Sequence, residues 1–415
     1  MVIRIKGMTI KQIAMTATVA YIFLSYIGQN EIIDEHIQQM AMWLMLAVNF
    51  SLILLFPSYR QVNYHTLWYA GLLIVVFITC FYSPDISYAL ESTYSMMVTL
   101  LITFSISQII RTSDDILILI KTFSLSSVIL FVIMAYKGLL QVEERLGTTL
   151  FSNANIFAML VMISVFCTIY LFFITKGLKC VFYFGCMGTQ FYMLFLSAGR
   201  KYILVSIAFF LGIYLINNGI NRIKTILKGA ILGIGLCIVG YFIMMEIPEF
   251  YETIGYRFEN TINSFLFGVR AVEESGDIVR MNMIHYGLQY FFEQPLFGLG
   301  QSGFAVRFME DYGRMVYSHN NYVELLANLG IIGFLYYYCF LAYVYWRLIW
   351  QKRKNNKSIY NFFVVFLLAV LLLDFGIVSY YSQNLLQVFI AIAAKTALQK
   401  EGIYKNMKNR EIIAA

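Results

Sequence analysis

Long apolar runs recur along this chain, separated by short polar stretches. Runs near the roughly 20 residues that cross a hydrocarbon core lie near 9–28, 38–57, 66–83, 93–110, 116–136, 155–174 and 180–197. Others follow near 202–217, 227–246, 321–349, 359–379 and 383–397. The pattern predicts an all-α polytopic membrane protein of about twelve transmembrane helices, with one long loop. Residues 1–246 would hold the first nine helices, 247–320 a large extracytoplasmic loop, and 321–415 the remaining helices and a cytoplasmic tail.

Composition agrees with that pattern. Of 415 residues, 60% are apolar and 13% are charged, about half the charge of a soluble globular chain. Polar side chains are too few to cover soluble domains. This excludes a soluble enzyme, a nucleic-acid binder and a disordered chain. The net charge of +7 therefore reads first as topology.

Lys and Arg mark alternate connections. The N-terminus carries Arg4, Lys6 and Lys11, and basic groups recur at Arg60, Arg111, Lys176 with Lys179, and Arg222 with Lys224 and Lys228. The series ends with Lys352, Arg353, Lys354 and Lys357, then the tail with Lys400, Lys405, Lys408 and Arg410. The first two intervening connections hold Glu31, Asp34 and Glu35, then Asp85 and Glu91, without Lys or Arg. Both termini are expected in the cytoplasm, with the first run an uncleaved helix rather than a signal peptide. The six Cys lie within or beside the apolar runs and read as packing residues.

The loop near 247–320 departs from the rest. Residues 250–267 and 278–293 carry apolar positions at helical spacing, among them Met283, Ile284, Leu288 and Phe291. These predict amphipathic helices at the outer surface. Pro295 ends the second, and Gly298, Gly300 and Gly303 predict a turn.

The loop's basic residues are all arginine: Arg257, Arg270, Arg280, Arg307 and Arg314. A guanidinium fork bonds two phosphate oxygens, where Lys is a point charge. The competing reading is pairing with the loop's own acids, such as Glu259, Glu273, Glu274 and Asp277. Arg200 and Lys201 in a short outer turn, and Arg145 ahead of Asn153 and Asn155, are further cations where the charge rule does not put them. Lipid snorkelling and helix capping are the alternatives for these groups.

The segment Ser318-His319-Asn320-Asn321-Tyr322-Val323-Glu324 enters the tenth run. Asn321 and Glu324 have the spacing of a helix cap and its N3 acid. His319 would precede a helix N-terminus, whose partial positive charge disfavours the imidazolium form and attracts phosphate oxygens. A neutral His suits a general base.

The run from Pro295-Leu296-Phe297-Gly298-Leu299-Gly300 through His319-Asn320 to Leu329-Gly330-Ile331-Ile332-Gly333 resembles the signature of the O-antigen ligase and polysaccharide polymerase superfamily. Asn153 with Asn155, Arg200 and Arg280 stand in the matching order, and the likeness spans roughly 140–400. An acid is common in that family where this chain has Asn328.

The resemblance implies a membrane glycosyltransferase whose donor and acceptor are oligosaccharides on undecaprenyl diphosphate. It favours a polymerase joining repeat units, with a ligase as the alternative within the family. An exporter of lipid-linked sugars is the alternative from another class. The chain lacks an Asp-x-Asp motif and a cytoplasmic segment large enough for a nucleotide-sugar domain. No metal or other cofactor is expected, so arginines would neutralise the diphosphate. Arg200 and Arg280 would hold it, and His319 would take the acceptor's proton. Arg145, Arg257, Arg270, Arg314, Asn320, Glu324 and Tyr322 are the substrate-binding candidates, with Glu324 also placed to orient His319. Tyr286, Tyr290, Tyr312, Tyr317 and Tyr322 are candidates for stacking on sugars or for an interfacial belt. The bilayer of a bacterial plasma membrane and a chain-length regulator protein complete the expected partners.

Overall fold

A computed structural model describes residues 4–5, 8–28, 32–61, 63–140, 145–148, 151, 153–219, 222–256, 258–259, 276–355, 358–381 and 384–398. The protein is all-α and polytopic. In chain order the helices are α1 (Ile10–Ile27), α2 (Glu35–Leu55), α3 (Tyr64–Cys80), α4 (Ile86–Ile109), α5 (Ser113–Tyr136), α6 (Ala154–Ile174) and α7 (Leu178–Leu196). Then come α8 (Arg200–Asn218), α9 (Ile223–Glu246), α10 (Gly276–Glu293), α11 (Gly303–Tyr312), α12 (Asn321–Asn355), α13 (Ser358–Leu373) and α14 (Asn384–Leu398). Eight of these are long and apolar enough to cross a membrane, and α3, α13 and α14 are shorter apolar helices. With α7, they match the twelve apolar runs one for one. A two-residue antiparallel pair, Arg4–Ile5 with Met8–Thr9, leads into α1, where Thr9 and Gln12 form a capping box.

Contacts divide the chain into two compact units. The first contains Met1–Leu52, Ser113–Ala271 and Lys357–Ala369. Its centre is α6, whose residues from Phe157 to Leu171 are all buried. A helix apolar on every side belongs inside a bundle. Phe166 stacks on Phe209 at 4.2 Å between centroids. Hydrogen bonds tie the neighbouring helices to this core: Tyr26 to the Leu160 carbonyl at 2.9 Å, Ser124 with Thr168 at 2.6 Å, and Gln190 to Ser127 at 2.8 Å. Each such bond contributes on average about 0.6 kcal/mol in a membrane setting.

The second unit contains Ile53–Thr112, Val272–Asn356 and Val370–Ala415. Trp68 and Tyr336 join α3 to α12 reciprocally. The indole donates to the Tyr336 carbonyl at 3.1 Å, and the Tyr336 hydroxyl donates to the Trp68 carbonyl at 3.0 Å. Helix α10 turns Val279, Met283 and Tyr290 into a cluster with Leu299, Phe304, Phe308 and Ala327. Its apolar face is thus covered by α11 and α12. Helix α11 lies in a segment where only a turn was expected. The expected helix over 250–267 is represented by a helical turn at Pro248–Phe250 and a π turn at Tyr251–Gly255. Residues 260–275 lie outside the described residues.

Candidate functional site

In the second unit the site begins with a broken helix. Gly330 has φ 64° and ψ −168° inside α12, so the helix stops and restarts there. A break frees backbone groups that must find partners at membrane depth. The turn after Pro295 supplies them. Leu299 and Gly300 N–H donate to the Ala327 and Asn328 carbonyls at 2.8 and 2.9 Å, and Ile331 N–H donates to the Pro295 carbonyl at 2.9 Å. A Cβ on Gly330 would collide with the Leu296 backbone, and one on Gly298 would lie 2.5 Å from the Asn328 carbonyl carbon. Both positions also have positive φ. Glycine is therefore required twice.

This brace sets the first part of α12 and the corner before it. Asn320 is the helix cap: its Oδ1 accepts from the Tyr322 and Val323 amides at 3.0 and 3.2 Å. The cap expected at Asn321 thus lies one residue earlier. Asn321 is instead fully buried, with its amide bonded to Tyr338 and Asp374. Glu324 is buried and accepts from Ser318 N–H at 2.7 Å and from Asn328 Nδ2 at 3.0 Å.

His319 is half-buried at φ 55°, in the left-handed region. Its ring lies 4.2 Å from that of Tyr317. Burial pushes the Tyr317 phenol above its ordinary pKa; the Glu324 charge adds to this and the Arg280 charge opposes it. Tyr317 thus feels the charges of both Glu324 and Arg280, and His319 packs against its ring. Arg280 is exposed on the first turns of α10, and Arg314 is exposed beyond α11.

Other loop side chains serve the fold. Arg307 pairs with Glu293 at 3.5 Å and Glu310 at 3.6 Å, and lies over the Tyr290 ring. Tyr290 donates to Asp311 at 2.6 Å, while Tyr286 and Tyr312 pack against the same cluster. Tyr322 stacks on Tyr338 at 4.7 Å and donates to the Leu371 carbonyl at 2.8 Å. Asp374, in the turn just after α13, accepts from Ser379, Tyr338 and Asn321, which makes this buried acid an anchor.

The first unit holds a second corner. Arg145 Nε donates to the Ser197 carbonyl at 2.9 Å, and its NH2 donates to Asn155 Oδ1 at 3.3 Å. Asn153 caps α6 by accepting from Asn155 N–H at 2.8 Å. One asparagine of the pair is therefore a cap and the other an arginine partner. Ala198 at φ 52° and Gly199 form the tight turn that starts α8 at Arg200. Arg145, Asn155 and the Arg200 turn are thus brought together within this unit. Arg257 and Arg270 lie outside the described residues.

Two polar residues, Tyr380 and Gln301, escaped the sequence reading, and Asn328 entered it only as a departure from the family pattern. All are buried, and they form a chain with Glu324. Asn328 and Tyr380 carried a signal, being polar groups within or beside apolar runs. Gln301 carried none.

Residues 185–338 match the family model described as O-antigen ligase. That stretch runs from α7 past the Gly330 break and includes Arg200, Arg280 and His319. No curated protein matches the chain.

Proposed function

We propose that the chain is a multi-pass bacterial membrane enzyme of the O-antigen ligase and polymerase superfamily, whose family model matches residues 185–338, and that it joins oligosaccharide repeat units carried on undecaprenyl diphosphate. The reaction is assigned to the extracytoplasmic face of the plasma membrane, the side opposite the Lys-rich connections. The observation that carries this reading is the corner where left-handed His319 meets Tyr317, within the charge environment of Arg280 and Glu324.

In the proposed reaction an acceptor sugar hydroxyl attacks the anomeric carbon of the donor glycan. The new glycosidic C–O bond forms as the bond to the diphosphate breaks, and undecaprenyl diphosphate leaves with the electron pair. His319 takes the hydroxyl proton. Arg280 holds the leaving diphosphate, offsetting charge that grows in the transition state. Arg314 is assigned as a further phosphate contact in this unit and Asn320 as a sugar contact, while Tyr322, packed on Tyr338 and bonded to the Leu371 carbonyl, leaves the substrate group. Arg257 and Arg270 are also assigned to phosphate. On the first unit, Arg200 and Arg145 are assigned to anion binding, with Arg200 in first rank.

The test is purified protein in vesicles given defined lipid-linked repeat units and nothing else. A ladder of glycan lengths on the same lipid is the expected product. Transfer only to a different acceptor would make the protein a ligase, and movement across the bilayer without elongation would make it an exporter.

A further inference from the structure

His319 sits at φ 55°, a left-handed conformation that side chains other than glycine rarely adopt. It persists only where its neighbours are held. Asn320 is fixed by its capping bonds. Ser318 is fixed from the other side: its N–H donates to Glu324 Oε2 at 2.7 Å, and its hydroxyl donates to the Asn320 carbonyl at 2.8 Å.

The Glu324 carboxylate is itself held. Its Oε1 accepts from Asn328 Nδ2 at 3.0 Å, while Asn328 Oδ1 accepts from Phe304 N–H at 2.8 Å. Asn328 Nδ2 also donates to the Tyr380 hydroxyl at 3.2 Å, and that hydroxyl donates to Gln301 Oε1 at 2.8 Å. Glu324 is 1% exposed, and Asn328, Tyr380 and Gln301 are 0% exposed.

The polarity of this chain is determined at both ends. A backbone N–H can only donate. Phe304 N–H therefore directs the Asn328 oxygen toward itself, which turns the Asn328 NH2 toward Glu324. Ser318 N–H likewise demands an acceptor. Position 324 must offer two acceptors at glutamate length, and a glutamine offers one.

We propose that Glu324 is a positioning residue: it sets the His319 backbone through the Ser318 amide, and Asn328 with Tyr380 ties that setting to the Gln301–Phe304 turn. Glu324 then leaves the group of substrate contacts, because both oxygens are taken inside the protein. The proposal rests on the reading of His319 as the base.

The chemistry prescribes a swap. Glu324→Gln sets a donor against a donor, and Asn328→Asp sets an acceptor against an acceptor. Together they restore complementarity: the glutamine oxygen accepts from Ser318, its NH2 donates to the new aspartate, and the aspartate accepts from Phe304. The Tyr380 hydroxyl turns its single proton from Gln301 Oε1 to the new aspartate, so the double variant gives up that one bond.

Two measurements on the purified full chain test this. Hydrogen exchange of the peptide containing Ser318 should be slow in the wild type, faster in each single variant, and slow again in the double variant. With lipid-linked repeat units, each single variant should lose about 10²-fold in kcat, the effect of a slightly misplaced reacting group. KM should change little, and the double variant should recover most of the kcat loss. A double variant no better than either single would overturn the relay, as would unchanged exchange in Glu324→Gln. Faster exchange with unchanged kcat would overturn its link to His319. A wild type without glycosyl transfer would instead remove the proposed function, and the exchange measurement would still decide the relay.

Discussion

Asn321 grips Asp374 twice: its backbone N–H donates to the Asp374 carbonyl at 2.8 Å, and its side-chain amide donates to the carboxylate at 3.3 Å. Tyr338 and Ser379 also donate to that carboxylate, at 3.0 and 2.6 Å. Asn321 Oδ1 in turn accepts from the Ser379 and Tyr380 amides. The cluster fixes the start of α12 against the segment that carries Tyr380. Asp374→Leu leaves buried donors without an acceptor, at about 1–3 kcal/mol each, so its melting temperature in detergent should fall sharply. Asp374→Asn keeps one acceptor and should melt between the two while still elongating glycan. An Asn variant with wild-type melting but no turnover would make Asp374 a chemical group instead.

Gly330→Ala should be among the most damaging small substitutions in the chain. The positive φ costs about 1–2 kcal/mol for alanine, and the new methyl would meet the Leu296 backbone. The brace between the Pro295 turn and α12 must then open, so thermal stability and turnover should fall together. Gly185→Ala in α7 is the control, because a Cβ there meets nothing within 4 Å. Replacing a helical glycine should leave stability unchanged or raise it by about 0.5–1 kcal/mol. Equal melting temperatures for the two variants would contradict the required break.

The contrast between these glycines explains what the sequence could show. Apolar runs and the Pro295 stop are local signals: the runs located the twelve helices, though α4 starts at Ile86 against an expected 93 and α13 ends at Leu373 against 379, and the stop closed α10. The break at Gly330 is non-local. Its run continues apolar on both sides, and only the Leu296 backbone packed against it requires the left-handed turn. The adjacent Asn320 and Asn321 present the same difficulty. Either could cap the helix, and Glu324 stands three residues after Asn321 as a capping box would ask. Asp374, fifty-three residues away in sequence, claims Asn321 and leaves the cap to Asn320. The arginines were legible as a population, but only the positions of Glu293 and Glu310 show that Arg307 pairs within the loop.

Asn320 can be divided between capping and substrate contact. Asn320→Ala removes the bonds from Tyr322 and Val323 and should cost about 1 kcal/mol. Asn320→Asp keeps those bonds and adds a negative charge favoured at a helix N-terminus, so melting should match the wild type. Its transfer rate should nevertheless fall, because the amide donor is gone and the new charge would face a diphosphate. Wild-type turnover in Asn320→Asp would reduce the residue to a cap.

In the proposed reaction Arg280 and His319 carry the chemistry, and their variants should fail differently. Loss of one charge contact to a leaving group removes about 3–4 kcal/mol of transition-state stabilisation, or 10²–10³ in rate. Arg280→Lys keeps the charge but not the planar fork, so it should fall nearly as far as Arg280→Ala if both phosphate oxygens are held at once. Arg307→Lys, by contrast, keeps the pairing with Glu293 and Glu310 and should leave elongation near wild type. His319→Ala should lose about 10²–10⁴ in turnover, the usual contribution of a general base, with binding of the lipid donor retained. Single-turnover assays with one lipid-linked repeat unit as donor and another as acceptor separate these effects. Near wild-type elongation by purified Arg280→Lys would end the bidentate role, and near-normal turnover by His319→Ala would remove it as the base.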